Sequence, residues 1–326
     1  MAFTIKPEHK ERVRALVPWI TAGVLLLAVA SAWRMLRQVG RAELGRALSS
    51  TDAHDLLAAA VFSAGSYLTL TFFDWMAVRT VARSSLAYPK IALTSFVALS
   101  IGHTVGFAGL STGMLRYRIY SHYGLSAGDV ARIVVFSGIT VAAGHAALLG
   151  VAGVLRPGSV AAFAGVPPWV ASLLGAVALA TVLIYVALSA VVPRAARAGG
   201  WRRNLPTARV ACLQVAVGAL NYLFVAATLH RLLGDAADVS LFSFASYYVV
   251  GNALGILSHV PGGLGVLEVV VLAAVPGTEA VGALIVFRLV YFIAPFVFGA
   301  LAYGIFEAVR RKGRVRGSLS PRRAPG

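Results

Sequence analysis

The chain has 326 residues, 59% of them apolar and only 13% charged, with a mean hydropathy of +0.80. A soluble globular chain carries about 25% charged residues, so this composition excludes an ordinary soluble enzyme and a disordered protein alike. The net charge of +17, from 29 Lys+Arg against 12 Asp+Glu, points in such a chain to basic cytoplasmic loops and anionic lipid headgroups rather than to nucleic acid.

Eight apolar runs follow one another, at 15–36, 55–75, 91–113, 131–154, 168–192, 208–232, 243–275 and 281–306. They lack the ~10-residue alternation of an outer-membrane barrel. The expected fold is therefore an all-α polytopic membrane protein. The first run follows Lys6, Lys10, Arg12 and Arg14 and is 22 residues long. That is long for a signal-peptide core and sufficient to span, so it reads as a helix.

Run 91–113 reads badly as one smooth spanning helix. Gly102, Gly106, Gly109 and Gly113 punctuate it beside His103, Thr104, Ser111 and Thr112. Its two flanks, with Arg79, Arg83 and Lys90 before and Arg116 and Arg118 after, both look cytoplasmic. A re-entrant hairpin resolves both facts, because unwound backbone at membrane depth is tolerated where protein or a wet cavity satisfies it. The segment 243–262 repeats the pattern with Gly251, Gly255, Gly262 and Gly263, helped by Pro261, and reads as a hairpin entering from outside.

With six spans and two hairpins, the cytoplasmic segments hold 20 Lys+Arg and the external ones 4. Both termini are then cytoplasmic. The order helix, helix, hairpin, helix occurs twice, with starts offset by 150 to 153 residues. Gly102, Gly106 and Gly113 match Gly251, Gly255 and Gly262 at an offset of 149. The first copy starts inside and the second outside, which is an inverted repeat of the kind found in secondary transporters. The expected organisation is a cytoplasmic segment 1–14, a first repeat 15–154, a second repeat 155–306, and a disordered basic cytoplasmic tail 307–326.

Ionisable groups at membrane depth are costly and need partners or a polar cavity. Glu268 and Arg288, each stranded in apolar sequence, are natural partners. The alternative keeps Glu268 at the interface and lets Arg288 snorkel to the headgroups. In Arg116-Tyr117-Arg118-Ile119-Tyr120, arginine forks that suit phosphate alternate with interfacial tyrosines. A topogenic basic loop explains the same residues. Asp74 and Arg79 stand five apart, poor spacing for a same-face pair, so each looks elsewhere. Cys212 and the scattered His103, His145 and His259 form no metal-ligand spacing, so no metal and no cofactor is expected.

Phe73-Asp74-Trp75-Met76-Ala77-Val78-Arg79, Gly102-x3-Gly106, and Gly113-x2-Arg116-Tyr117-Arg118-x-Tyr120 occur in order. Pro261-Gly262-Gly263-Leu264-Gly265-x2-Glu268 and Phe287-Arg288-Leu289-Val290-Tyr291-x3-Pro295 follow. Together they resemble the membrane region of the bacterial lysylphosphatidylglycerol synthetase/flippase family, the multiple peptide resistance factor. Full-length members add a cytoplasmic domain that transfers lysine from its tRNA to phosphatidylglycerol. The sequence holds no such domain, so the resemblance implies the flippase part alone and no enzyme. It carries Arg116, Arg118, Tyr120, Glu268 and Arg288 over as substrate-binding candidates.

The expectation is a lipid translocase of the bacterial inner membrane that handles phospholipids, anionic ones above all. A membrane subunit regulating a separate lipid-modifying enzyme and a proton-coupled small-solute transporter are the competing readings.

Overall fold

The computed structural model describes residues 21–34, 37, 41–105, 108–195, 206–234, 240–258, 267–268, 271–272, 275 and 278–319. Gly106, Gly262 and Gly263 of the expected hairpins lie outside the described residues, as do 1–14, 320–326 and most of the basic loop after the fifth run.

Among the described residues every regular element is helical. The first of them is a short apolar helix, α1 (Thr21–Arg34). The stretch 37–54, expected as a plain loop, instead contains α2 (Arg41–Ser50). Then α3 (Ala53–Ala77) begins at Asp52, whose side chain accepts from the His54 amide at 2.7 Å. A carboxylate there satisfies an amide that the first helical turn leaves unpaired. The helix widens into a π turn, Val78–Ala82, and stops at Arg83, a non-glycine residue in the left-handed region with φ 51°.

Next come α4 (Tyr88–Val105) and α5 (Ala108–Tyr120). At about 1.5 Å per residue, α5 is roughly 20 Å long, too short for a ~30 Å hydrocarbon core. The two helices fold back on each other. The Ser111 hydroxyl lies 3.4 Å from the Gly102 carbonyl, and a Cβ at Gly102 would run into the Thr112 side chain. Gly124, at φ 87°, turns the chain into α6 (Ala127–Leu155), whose Ser126 and Asp129 form a reciprocal capping box.

The second half holds a short α7 (Pro157–Ala164), α8 (Pro168–Ala195), α9 (Ala208–Leu233) and α10 (Leu241–Ser258). It closes with α11 (Thr278–Arg288), a second π turn at Leu289–Ile293, and α12 (Ala294–Leu319).

Among the described residues five helices are long and apolar enough to cross a membrane: Ala53–Ala82, Ala127–Leu155, Pro168–Val191, Ala208–Leu233 and Ala280–Arg311. The chain is thus a polytopic α-helical membrane protein. Its exposed surface agrees. Leu173, Leu174, Leu183, Ile184 and Leu188 of α8 face outward, an apolar stripe that suits acyl chains and that water would penalise.

Inside, α3 packs along α9, and α6 lies against both α8 and α9. Small residues let these backbones touch. A Cβ on Gly175 of α8 would stand 2.9 Å from the Gly153 Cα of α6, and one on Gly218 of α9 only 3.0 Å from the Gly144 Cα. A second core joins Ala28 and Ala32 of α1, Val97 and Ile101 of α4, Ile119 of α5 and Phe296 of α12.

Candidate functional site

On a helix, residues two apart point about 200° away from each other. Arg116 and Arg118 of α5 therefore leave on nearly opposite faces, and each finds a different carboxylate.

Arg116 turns inward. Its Nε donates to Asp74 Oδ2 at 2.9 Å and its Nη2 to Oδ1 at 2.8 Å. Tyr120, one turn later on the same face, donates its hydroxyl to Oδ2 at 3.1 Å, and Ser137 of α6 donates to Oδ1 at 3.2 Å. Asp74 is fully buried and Arg116 only 3% exposed. The fork that sequence reasoning reserved for a phosphate is thus occupied by a carboxylate of α3. Four hydrogen bonds from two other helices satisfy that charge where hydrocarbon would not.

Arg118 turns toward α12. Its Nε donates to Glu307 Oε1 at 2.9 Å. Tyr303 donates to the same oxygen at 3.1 Å, and Arg310 donates to Oε2 through Nη2 at 2.7 Å. These side chains are only partly buried, 17% exposed for Arg118 and 14% for Glu307. Arg79 does not reach Asp74. It donates to the Ser84 carbonyl at 3.2 Å and braces the turn after α3.

Glu268 and Arg288 form an ion pair, both partly exposed. Arg288 ends α11 at the second π turn. Such turns release backbone carbonyls and recur at functional sites. Here Ser63 of α3 donates to the Val290 carbonyl at 3.3 Å and Tyr67 to the Tyr291 carbonyl at 3.2 Å. The Tyr291 hydroxyl lies 3.0 Å from Ser66 Oγ. Asn221 of α9 donates to Ser66 Oγ and to Thr69 Oγ1, both at 2.8 Å. Sequence reasoning missed Ser66, Tyr67, Thr69 and Asn221. The available signal was a set of polar residues in two otherwise apolar helices.

Of the remaining glycines, Gly113 would hold a Cβ at an ordinary 3.6 Å from Val134. Gly251 and Gly255 fall within α10 as continuous helix. A cavity of about 1010 Å³ opens between α2, the start of α3, the end of α9 and α11, with Glu43, Arg46, Asp52 and Asp55 among its lining residues. Among the described residues no three His, Cys, Asp or Glu side chains cluster so as to hold a metal ion.

With this geometry in place, known proteins offer three comparisons, although no protein-family model matches the chain. It is 28% identical over 251 residues to an uncharacterised protein of Synechocystis, covering 76% of this chain and 78% of the relative. It is 26% identical over 289 residues to the inner membrane protein YbhN of Escherichia coli, covering 86% and 89%. It is 23% identical over 308 residues to a phosphatidylglycerol lysyltransferase of Staphylococcus haemolyticus. That last match takes in 92% of this chain, yet the chain spans only 35% of the lysyltransferase. One of these relatives is thus named as an inner membrane protein and another for its work on a phospholipid.

Proposed function

We propose that the chain is a lipid translocase of the bacterial inner membrane, moving a phospholipid or related amphiphile between leaflets. One observation carries the reading. Charged and polar side chains pair within a bundle whose outside is apolar, in three groups: the buried Asp74–Arg116–Tyr120 and Ser66–Asn221–Tyr291, and the partly exposed Glu268–Arg288. A headgroup leaving water needs such a seam, while its acyl tails stay in the bilayer. The likeness to the lysyltransferase supports a lipid as cargo, and that to YbhN supports the inner membrane.

In this reading α4 and α5 form a re-entrant hairpin open to the cytoplasm, and α10 begins its counterpart from outside. Both termini are cytoplasmic. The repeats are α1, α3, α4–α5, α6 and then α8, α9, α10, α11–α12. Two exchanges support the symmetry: the corresponding helices α3 and α9 pack together at the centre, and α6 pairs with α8 as α1 does with α12. Anionic phospholipid is the proposed partner. Its phosphate exchanges with Glu307 at Arg118, which is more accessible than Arg116. Glu268 and Arg288 serve the headgroup from the other repeat.

The complete internal pairing of Arg116, Arg118 and Arg288 also favours a second reading, a membrane subunit whose charges only lock helices while it regulates a lipid-modifying enzyme. Leaflet exchange of fluorescent phospholipids in proteoliposomes separates the two. Arg118→Lys keeps the charge and loses the fork. It should slow exchange severalfold without changing expression. Wild-type vesicles that exchange lipid no faster than protein-free ones, with and without a proton gradient, would sink the translocase.

A further inference from the structure

The corner between α6 and α7 holds an arginine that the paired charges leave out. Pro157 follows Arg156, and a residue before proline is pushed out of the helical region. Arg156 accordingly leaves α6 at φ −135° and ψ 50°, and α7 starts from it in a new direction. The corner is packed on all sides. Val160 and Ala161 of α7 cluster with Ala152 of α6, Ala171 of α8 and Val250 of α10. Phe163 of α7 stacks on Tyr247 of α10, ring centroids 5.5 Å apart.

Arg116, Arg118, Arg132, Arg231, Arg288 and Arg310 each meet a carboxylate. Among the described residues Arg156 meets none. Its Nη1 donates to Ser243 Oγ of α10 at 2.8 Å, and its guanidinium carbon stands 5.8 Å from the Phe242 ring centroid. Ser243 Oγ lies in turn 3.1 Å from Ser240 Oγ. Two segments 87 residues apart thus hold the guanidinium in one orientation. A guanidinium has several N–H donors in a fixed fork, and this contact uses one of them. A held positive charge with donors to spare fits an anion that offers two or more oxygens, as phosphate does.

The surroundings indicate what carries that anion. Arg156 is exposed, and so are its neighbour Leu155 and the neighbours of Ser243, Leu241 and Phe242. A free phosphate ion gains nothing from an apolar rim, whereas the chains of an amphiphile pack on it. The 29 residues of α6 form a helix longer than the bilayer core is thick, so its last turn reaches the headgroup layer. With both termini cytoplasmic, that turn lies on the external side.

We infer that Arg156, oriented by Ser243, holds the phosphate of a lipid in the external leaflet. It is a positioning residue at the opposite end of the path from Arg118. The site stands on its own geometry, and its place on a path rests on the translocase reading.

The test is photolabelling of the full chain in sealed right-side-out membrane vesicles, where an added probe meets the external face alone. The probe is dodecyl phosphate with a diazirine in its chain, and the control is the corresponding alkyltrimethylammonium. The phosphate probe should label the peptides holding Leu155 or Phe242, and the ammonium probe should not. Arg156→Gln should cut this labelling about tenfold, the effect of losing charged hydrogen bonds. Arg156→Lys, which keeps the charge without the fork, and Ser243→Ala, which removes the brace, should each cut it severalfold. Arg156→Lys should also slow leaflet exchange in proteoliposomes. Should Arg156→Gln fail to fold, Arg156→Lys and Ser243→Ala decide.

Equal labelling by the two probes, or labelling indifferent to Arg156→Gln, would make Arg156 a snorkelling anchor and overturn the site. Displacement by inorganic phosphate as effective as by unlabelled dodecyl phosphate would overturn the lipid as its source. Arg156-dependent labelling in a protein that exchanges no lipid would uphold the site and sink the translocase. Exchange at the wild-type rate in Arg156→Gln would keep the translocase and overturn the place of Arg156 on its path.

Discussion

Asp74 and Arg116 stand 42 residues apart in sequence and meet through a two-pronged hydrogen bond inside the bundle, with both side chains buried. The pair fastens α5 to α3, so the short helix that cannot span is anchored to one that can.

Breaking that pair from one side strands a charge in low dielectric. Asp74→Asn should therefore destabilise the protein by about 3–5 kcal/mol, read as a lower melting temperature and yield in detergent. The double change Asp74→Asn with Arg116→Gln should lose clearly less than the sum of the single changes. Additive losses would show that the carboxylate and guanidinium do not depend on each other.

Glu268 and Arg288 are less enclosed, so water shares in their stabilisation. Glu268→Gln or Arg288→Gln should cost less than Asp74→Asn in the same melting assay. Their double-mutant coupling should still fall within about 0.5–3 kcal/mol. A coupling near zero would place the two side chains apart in the membrane.

Close packing of α6 on α9 gives a sharper contrast. A methyl at Gly144 would run into the backbone of Gly218 and Ala219, whereas one at Gly138, on the same helix, has nothing within 4 Å. Gly144→Ala should lower stability by about 1–3 kcal/mol and Gly138→Ala should not. Equal effects would argue against the backbone contact.

Topology is open to thiol labelling. Ser85 and Ser121 are exposed and flank α4 and α5. Placed as single cysteines in a Cys212→Ser background, both should resist an impermeant reagent added outside and react once the membrane is opened. Labelling of one alone from outside would make the segment a true span and remove the inverted repeat.

Much of this architecture was legible in the sequence, because spans of ~20 apolar residues leave few other readings. The Glu268–Arg288 pairing was legible for the same reason: two charges in apolar surroundings have few partners. The Asp74–Arg116 pair was not, although Asp74 lies in an apolar helix too. Arg79 stood nearer in sequence, and only the fold shows that it braces a turn instead. Ser66, Thr69 and Asn221 were invisible for a different reason. Small polar residues in membrane helices read equally well as packing positions, and nothing local reveals that two helices bring them together, with Ser66 against the Tyr291 hydroxyl.

The wide turn at Leu289–Ile293 carries a consequence for the whole last span. Arg288 and Glu307 are 19 positions apart, which on an uninterrupted α-helix leaves them about 100° out of phase. A π turn absorbs one extra residue, and that cancels the offset, so both lie on the same stripe. One inserted residue therefore keeps the two ends of a long helix in step, one gripping Glu268 and the other Arg118. Removing a single residue from that turn would rotate one grip by more than a quarter turn against the other while leaving every charge in place.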